Sequence, residues 1–112
     1  MDCIFCSISK KEASADIVFE DEEIIAFKDI APQAPVHILI LPKKHIAKIS
    51  DLSEENQMLT GKIINRARIL AKEQGTSDSG YRLVFNSGDD GGQIVDHIHL
   101  HLIGGKKLGS IG

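Results

Sequence analysis

Apolar residues recur along this chain with two different periods, and the switches between them lay out the elements. Between Ser53 and Gly75, the residues Leu59, Ile63, Ala67, Leu70 and Ala71 recur at helical spacing while Asn65, Arg68 and Lys72 fall on the opposite side. That pattern predicts one long amphipathic helix. Ser53 is its expected N-cap, Glu54 and Glu55 sit where the helix dipole favours anions, and Gly75 supplies the stop. Elsewhere the period is two, or the apolar run is continuous. Residues 17–20 and 23–28 flank the acidic pair Asp21-Glu22 and predict a hairpin. Residues 36–41, ended by Pro42, predict a central strand covered on both faces, with His37 its one polar member. Residues 81–86 and 97–103 predict two further strands, joined by a glycine-rich loop from Ser87 to Gln93. A short helix over residues 4–11, capped by Asp2 and carrying Ile4, Phe5 and Ile8 on one side, precedes them, and residues 104–112 form a loose tail. The order α, β, β, β, α, β, β with short turns predicts an α+β fold on an antiparallel sheet, with no repeat and no linker.

At 112 residues, 42% hydrophobic and 26% charged, the chain supports one domain over residues 1–112 with a single buried core. The net charge of -3 leaves no broad basic surface for long nucleic acid, although a single nucleotide remains an open ligand. No run approaches the roughly 20 apolar residues of a membrane span, and no positive n-region precedes an apolar stretch at the start. The expected compartment is therefore the cytoplasm, with no membrane partner. In a reducing compartment Cys3 and Cys6, at C-x-x-C spacing, read as a metal pair or a redox pair and not as a structural disulfide.

His97, His99 and His101 alternate with Ile98, Leu100 and Leu102. On a strand the three imidazoles would share one face, neighbours standing about 6.6 Å apart. A neutral imidazole still carries one donor and one acceptor that burial leaves needing partners, so three together call for a ligand such as phosphate. Two chemistries stay open on spacing alone: a metal cage, or nucleophilic catalysis in which one ring nitrogen attacks phosphorus while the other is held protonated. In the loop from Asn86 to Gln93 the glycines let backbone amides approach an anion, provided Asp89 and Asp90 face away. Lys43 and Lys44 read as a solvated turn.

Three segments carry a resemblance that spans almost the whole chain: Phe27 to His37, Pro42-Lys43-Lys44-His45-Ile46, and Asn86 to Gly105 with Asp90-Gly91-Gly92-Gln93 ahead of His-Ile-His-Leu-His-Leu. In these the chain resembles the histidine triad (HIT) family, in the branch that includes the Hint nucleoside phosphoramidases. The resemblance implies a HIT-like fold of about five antiparallel strands with one long helix and a short N-terminal helix, commonly a homodimer through the long helix and neighbouring strands. It further implies hydrolysis at the α-phosphate of a purine nucleotide derivative through a covalent nucleotidyl-histidine, releasing a nucleoside monophosphate, with no organic cofactor. Under it His99 is the nucleophile, His101 contacts phosphate and leaving group, and His37 is the fourth histidine. Asn86, Gln93 and the amides of Gly92 and Ile94 would line the phosphate site, and Asp29 would accept from the ribose hydroxyls. Ile4, Phe5, Ile8, Phe27 and Ile30 would wall the base, although each fits plain core equally well.

Cys3, Cys6, His45 and His97 match a zinc site like that of bacterial members, a closed tetrahedral set of structural character that would take His97 out of the chemistry. Two departures stand out: Ile94 occupies a position where many Hint proteins carry serine or threonine, and the tail lacks the tryptophan and proline-rich ending that helps bind the leaving group. Hydrolysis of dinucleoside polyphosphates, a zinc-stabilised nucleotide sensor without turnover and a metal-activated hydrolase remain rival readings.

Overall fold

In a computed structural model that describes residues 3–111, helix α1 spans Ile4–Ser9 and helix α2 spans Gln57–Glu73. Strands β1 to β5 span Ile17–Glu20, Ile24–Lys28, Val36–Pro42, Tyr81–Phe85 and Leu100–Gly104. They form one five-stranded sheet in the order β1-β2-β3-β5-β4, and every neighbouring pair is antiparallel. The strand expected at the centre is there: every residue of β3 after Val36 is buried.

Alternation along the strands divides the side chains between two faces. Ile24 and Ala26 of β2, Ile38 and Ile40 of β3, and Leu100 and Leu102 of β5 meet Ile63, Ala67, Leu70 and Ala71 of α2. At about 1.5–3 kcal/mol for each large apolar side chain fully buried, this layer is the main source of stability. Ile25, Phe27, Leu39 and Leu41 point the other way and cover Cys3, Phe5 and Ile8 of the N-terminal segment. The β3–β5 register pairs Leu39 with His101, so the histidine shares the α1 face.

Strands β2, β3 and β4 match the sequence pattern to within one residue at each end, and the larger departures have local causes. Ser53 opens not the α-helix itself but a 3-10 turn, Glu54–Asn56, where its N–H donates to Asn56 Oδ1 at 3.0 Å; α2 follows directly. At the other end of α2, Gly75 adopts φ +77°, which glycine tolerates, and the helix stops as expected. Helix α1 ends at Ser9, short of residue 11, and its N-cap is Cys3, whose Sγ accepts from the Cys6 N–H at 3.4 Å; the expected cap Asp2 lies outside the described residues. Ile4 is 52% exposed, so the buried side of α1 is Phe5 and Ile8 alone. The last strand begins at Leu100 instead of His97, because Ile98 donates its N–H to Ile46 O (2.7 Å) and residues 97–99 leave the ladder. It then runs one residue further, with Gly104 paired to both Val36 and Tyr81, so the tail starts at Gly105 and is held to β4 by Arg82 donating to Gly109 O. Among the described residues no helix is long and apolar enough to cross a membrane.

Candidate active site and metal centre

His101 lies on β5, His99 just ahead of it, and His37 on the adjacent β3. The rings of His99 and His101 are 4.9 Å apart, closer than strand spacing alone provides, and are tilted 55° to each other. His101 and His37 face each other with ring centroids 5.3 Å apart.

The fixed partners of these rings determine where the protons sit. The Gln33 N–H donates to His37 Nδ1 at 3.1 Å, so neutral His37 carries its proton on Nε2. That nitrogen is 3.0 Å from His101 Nδ1 and 3.3 Å from Asp29 Oδ2. Donation to His101 Nδ1 leaves the His101 proton on Nε2 as a free donor. The other histidine has the opposite polarity: His99 Nδ1 is 2.7 Å from His97 O, which only accepts, so Nδ1 carries the hydrogen and Nε2 keeps its lone pair. The Phe5 and His99 rings meet edge to face with centroids 5.0 Å apart. Burial pulls the pKa of His99 below the usual histidine value, and burial together with the neighbouring His99 and His37 pushes His101 down to about 4. Near neutral pH the pair is therefore one free lone pair beside one free N–H donor.

On the same face, the ligand atoms of Cys3, Cys6, His45 and His97 all lie within 4.8 Å of one another. His97 Nε2 is 2.7 Å from Pro42 O, so it holds the proton and turns the Nδ1 lone pair toward Cys3 Sγ (3.4 Å) and Cys6 Sγ (3.6 Å). His45 Nδ1 is 3.3 Å from Cys6 Sγ. A tetrahedral ion bonded at about 2.3 Å to sulfur and about 2.0 Å to nitrogen sets ligand-to-ligand edges of about 3.5 Å, and the Cys3–His97, Cys6–His97 and Cys6–His45 separations of 3.4, 3.6 and 3.3 Å match it. Burial raises the Cys6 thiol above its usual range, a cost that a bound cation would reverse. Cys3, Cys6 and His45 also line a groove of about 910 Å³, which gives an ion a way in. Asp29, His37 and His101 form a second compact group, but His37 Nε2 is protonated and offers no lone pair to a metal.

The remaining expected residues divide. Phe5 and Phe27 meet edge to face at 5.5 Å and, with Ile8, belong to the buried α1-side core, whereas Ile30 and Ile94 stand in solvent, 101% and 93% exposed. Asp29 Oδ1 accepts from the Ala31 N–H at 2.8 Å, leaving its other oxygen toward His37. Asn86 is half-buried directly after β4. Asp89 and Asp90 are exposed, as the electrostatics of an anion loop demand. Lys43 pairs with Glu20 at 2.6 Å and Lys44 is exposed, in keeping with a solvated turn.

Two loop groups do not face where the resemblance puts them. The Gly92 N–H, expected to point at an anion, donates to Asp89 O (3.0 Å) inside the loop. The Gln93 amide is turned inward: Nε2 donates to Ala47 O (2.6 Å) and Val95 O (2.9 Å), and Oε1 accepts from the Gly88 N–H (2.9 Å). The Ile94 N–H has no acceptor among the described residues. Pattern reading missed the Gln33 amide and the carbonyls of Pro42 and His97, because a backbone group carries no residue identity; the histidine spacing was the only signal near them.

Residues 2–111 match the family profile described as "Scavenger mRNA decapping enzyme C-term binding". The purine nucleoside phosphoramidase of Escherichia coli (strain K12) is 45% identical over 106 residues, which cover 95% of this chain and 89% of that protein. The crystal structure of a HIT family hydrolase from Legionella pneumophila Philadelphia 1 superposes with a TM-score of 0.93 at 54% identity, covering 95% of each chain. A zinc-bound histidine triad family protein from Mycobacterium smegmatis superposes with a TM-score of 0.81 at 30% identity, covering 95% of this chain and 76% of that one.

Proposed function

Because the chain belongs to the histidine triad (HIT) family and is a hydrolase, we propose that it acts at the α-phosphate of purine nucleotide derivatives, foremost phosphoramidates, through His99. The observation that carries this reading is the 2.7 Å bond from His99 Nδ1 to the His97 carbonyl, which leaves Nε2 as a neutral nucleophile held in one orientation. The name of the relative from Escherichia coli supports the substrate class.

In the first step a bond forms between His99 Nε2 and the α-phosphorus as the phosphorus–nitrogen bond of the substrate breaks, and the departing amine takes up a proton from solvent. Water then attacks the phosphorus, the bond to His99 breaks, and a nucleoside monophosphate leaves with one proton released to solvent. His101 Nε2–H and the Ile94 N–H stabilise charge on the phosphoryl oxygens, the kind of contribution that is usually the largest in such reactions. Asn86 and the loop of Gly92 and Gln93 shape the phosphate site, Asp29 receives the ribose, and Ile4, Phe5, Ile8, Phe27 and Ile30 flank the base. His37 acts through His101.

Zinc held by Cys3, Cys6, His45 and His97 is structural: with four protein ligands it has no open position for substrate, and it ties the N-terminal segment to the approach of β5. The zinc-bound neighbour from Mycobacterium smegmatis supports the choice of ion. The reading includes a cytoplasmic homodimer. Strand β4 ends the sheet, with no further strand paired to its edge among the described residues and Leu83 37% exposed, the kind of edge that a second copy covers.

The test is turnover of adenosine phosphoramidate by wild type and His99→Ala. Loss of at least about four orders of magnitude in kcat, with adenosine monophosphate binding retained and a phosphorus label trapped on wild type alone, is the expected result. Activity kept by His99→Ala overturns the mechanism. Faster turnover of diadenosine polyphosphate moves the preferred leaving group to a nucleotide, and binding of both compounds without turnover of either replaces the enzyme with a sensor.

A further inference from the structure

Gln93 is buried, and its side-chain amide has a partner for each hydrogen: both Nε2 hydrogens go to carbonyls, of Ala47 and Val95, and Oε1 takes the Gly88 N–H. The orientation is fixed by these partners. Turning the amide over would set its oxygen against two carbonyl oxygens and its NH2 against an N–H, losing three hydrogen bonds and adding repulsion. Nothing on the nitrogen is left for a phosphate.

The three partners lie on three separate backbone segments. Ala47 is two residues past the metal ligand His45, and Val95 is two residues ahead of the metal ligand His97. Gly88 belongs to the loop that precedes the histidines. One side chain thus ties the two strands of backbone that must bring His45 and His97 together, and adds the glycine loop to the same tie. We propose that Gln93 is a positioning residue of the metal centre, aligning the His45 and His97 backbones and the anion loop as one unit, and is not itself a nucleotide ligand. The proposal rests on the metal reading given above for its link to zinc, but the three hydrogen bonds stand without it.

Partners that orient metal ligands cost about 10–100-fold in metal affinity when removed. Gln93→Met keeps the volume and the burial while deleting every hydrogen bond of the amide. Zinc competition against a chromophoric chelator is expected to show affinity lowered by about 10–100-fold in this variant. In wild type, both Gln93 side-chain amide protons and the Gly88 N–H are expected to exchange slowly by NMR and to stay so on addition of adenosine monophosphate. Wild-type zinc affinity in Gln93→Met overturns the proposal, as does adenosine monophosphate drawing the Gln93 amide protons to new positions. If wild type takes up no zinc, the metal reading fails by itself. The tie is then judged on the Gly88 N–H: protection lost in Gln93→Met upholds it, and protection kept removes it. The wild-type NMR result decides the ligand question even where the variant fails to fold.

Discussion

A ring nitrogen that accepts from a backbone amide cannot also carry a hydrogen, and for His37 this sets the direction of the bond to its neighbour. With Nδ1 taken by Gln33, His37 donates from Nε2, and His101 must receive on Nδ1. Removing the His37 ring frees His101 to take either tautomer, so part of the population would aim a lone pair at the phosphoryl oxygens. His37→Ala is expected to lower kcat by about two orders of magnitude with KM little changed, and His37→Gln, which restores an N–H donor, to recover part of the loss in steady-state assays. At this scale the sequence was informative about which side chains gather and silent about how they are held. The every-second spacing of His97, His99 and His101 marked three rings that the structure gathers on one side of the sheet, but the Pro42 and His97 carbonyls that fix two of those rings belong to the backbone. Gln93 was visible as a polar residue beside glycines; that its amide turns inward depends on Ala47, far away in sequence.

Helix α1 has only six residues, too few to persist in water without tertiary support. Its support is the apolar contact of Phe5 and Ile8 with β2 and β3, together with the cysteines at its start. Stripping the metal should therefore loosen this element more than α2, whose apolar side is buried along its length. Chelation of the zinc-loaded protein is expected to lower Tm by about 10 °C, on the scale of 4–8 °C per kcal/mol for a domain of this size, with amide exchange rising in residues 4–9 and unchanged in α2. A Tm and an exchange pattern indifferent to chelation would remove zinc from the account. The elements themselves were largely legible, because apolar period and strand register are both set by one buried face. The start of β5 was not. Alternation runs unbroken from His97, yet Ile98 bonds to Ile46 and the chain leaves the ladder there, which lets His97 reach the cysteines while His101 stays beside His37 and His99 beside His101.

Across the whole molecule the sheet separates two kinds of work: the α2 face is apolar packing, and the titrating groups gather on the other. Acid therefore acts from one side. The folded-state values of His99 and His101 lie below the usual 6.5, that of His101 at about 4. Between those limits the unfolded chain binds more protons than the folded one, so stability is full above about pH 6.5 and declines as pH falls toward 4. Thermal melts should show Tm falling by several degrees between pH 7 and pH 5, and a rise over that interval would contradict the burial of these rings. The sheet also ends on β4, and Leu83→Lys should shift sedimentation from dimer to monomer if that edge joins two copies.

The His97 carbonyl, finally, belongs to the peptide unit and survives every change of side chain. Alanine scanning would credit His97 with holding an ion and register nothing of its hold on the neighbouring nucleophile, since no codon deletes a carbonyl. An ester linkage placed between residues 97 and 98 by chemical synthesis weakens that oxygen as an acceptor while sparing all five imidazoles; because it also removes the Ile98 N–H that donates to Ile46 O, a second ester between residues 46 and 47, which weakens the same bond from the acceptor side, is the control that isolates what His99 inherits from the main chain.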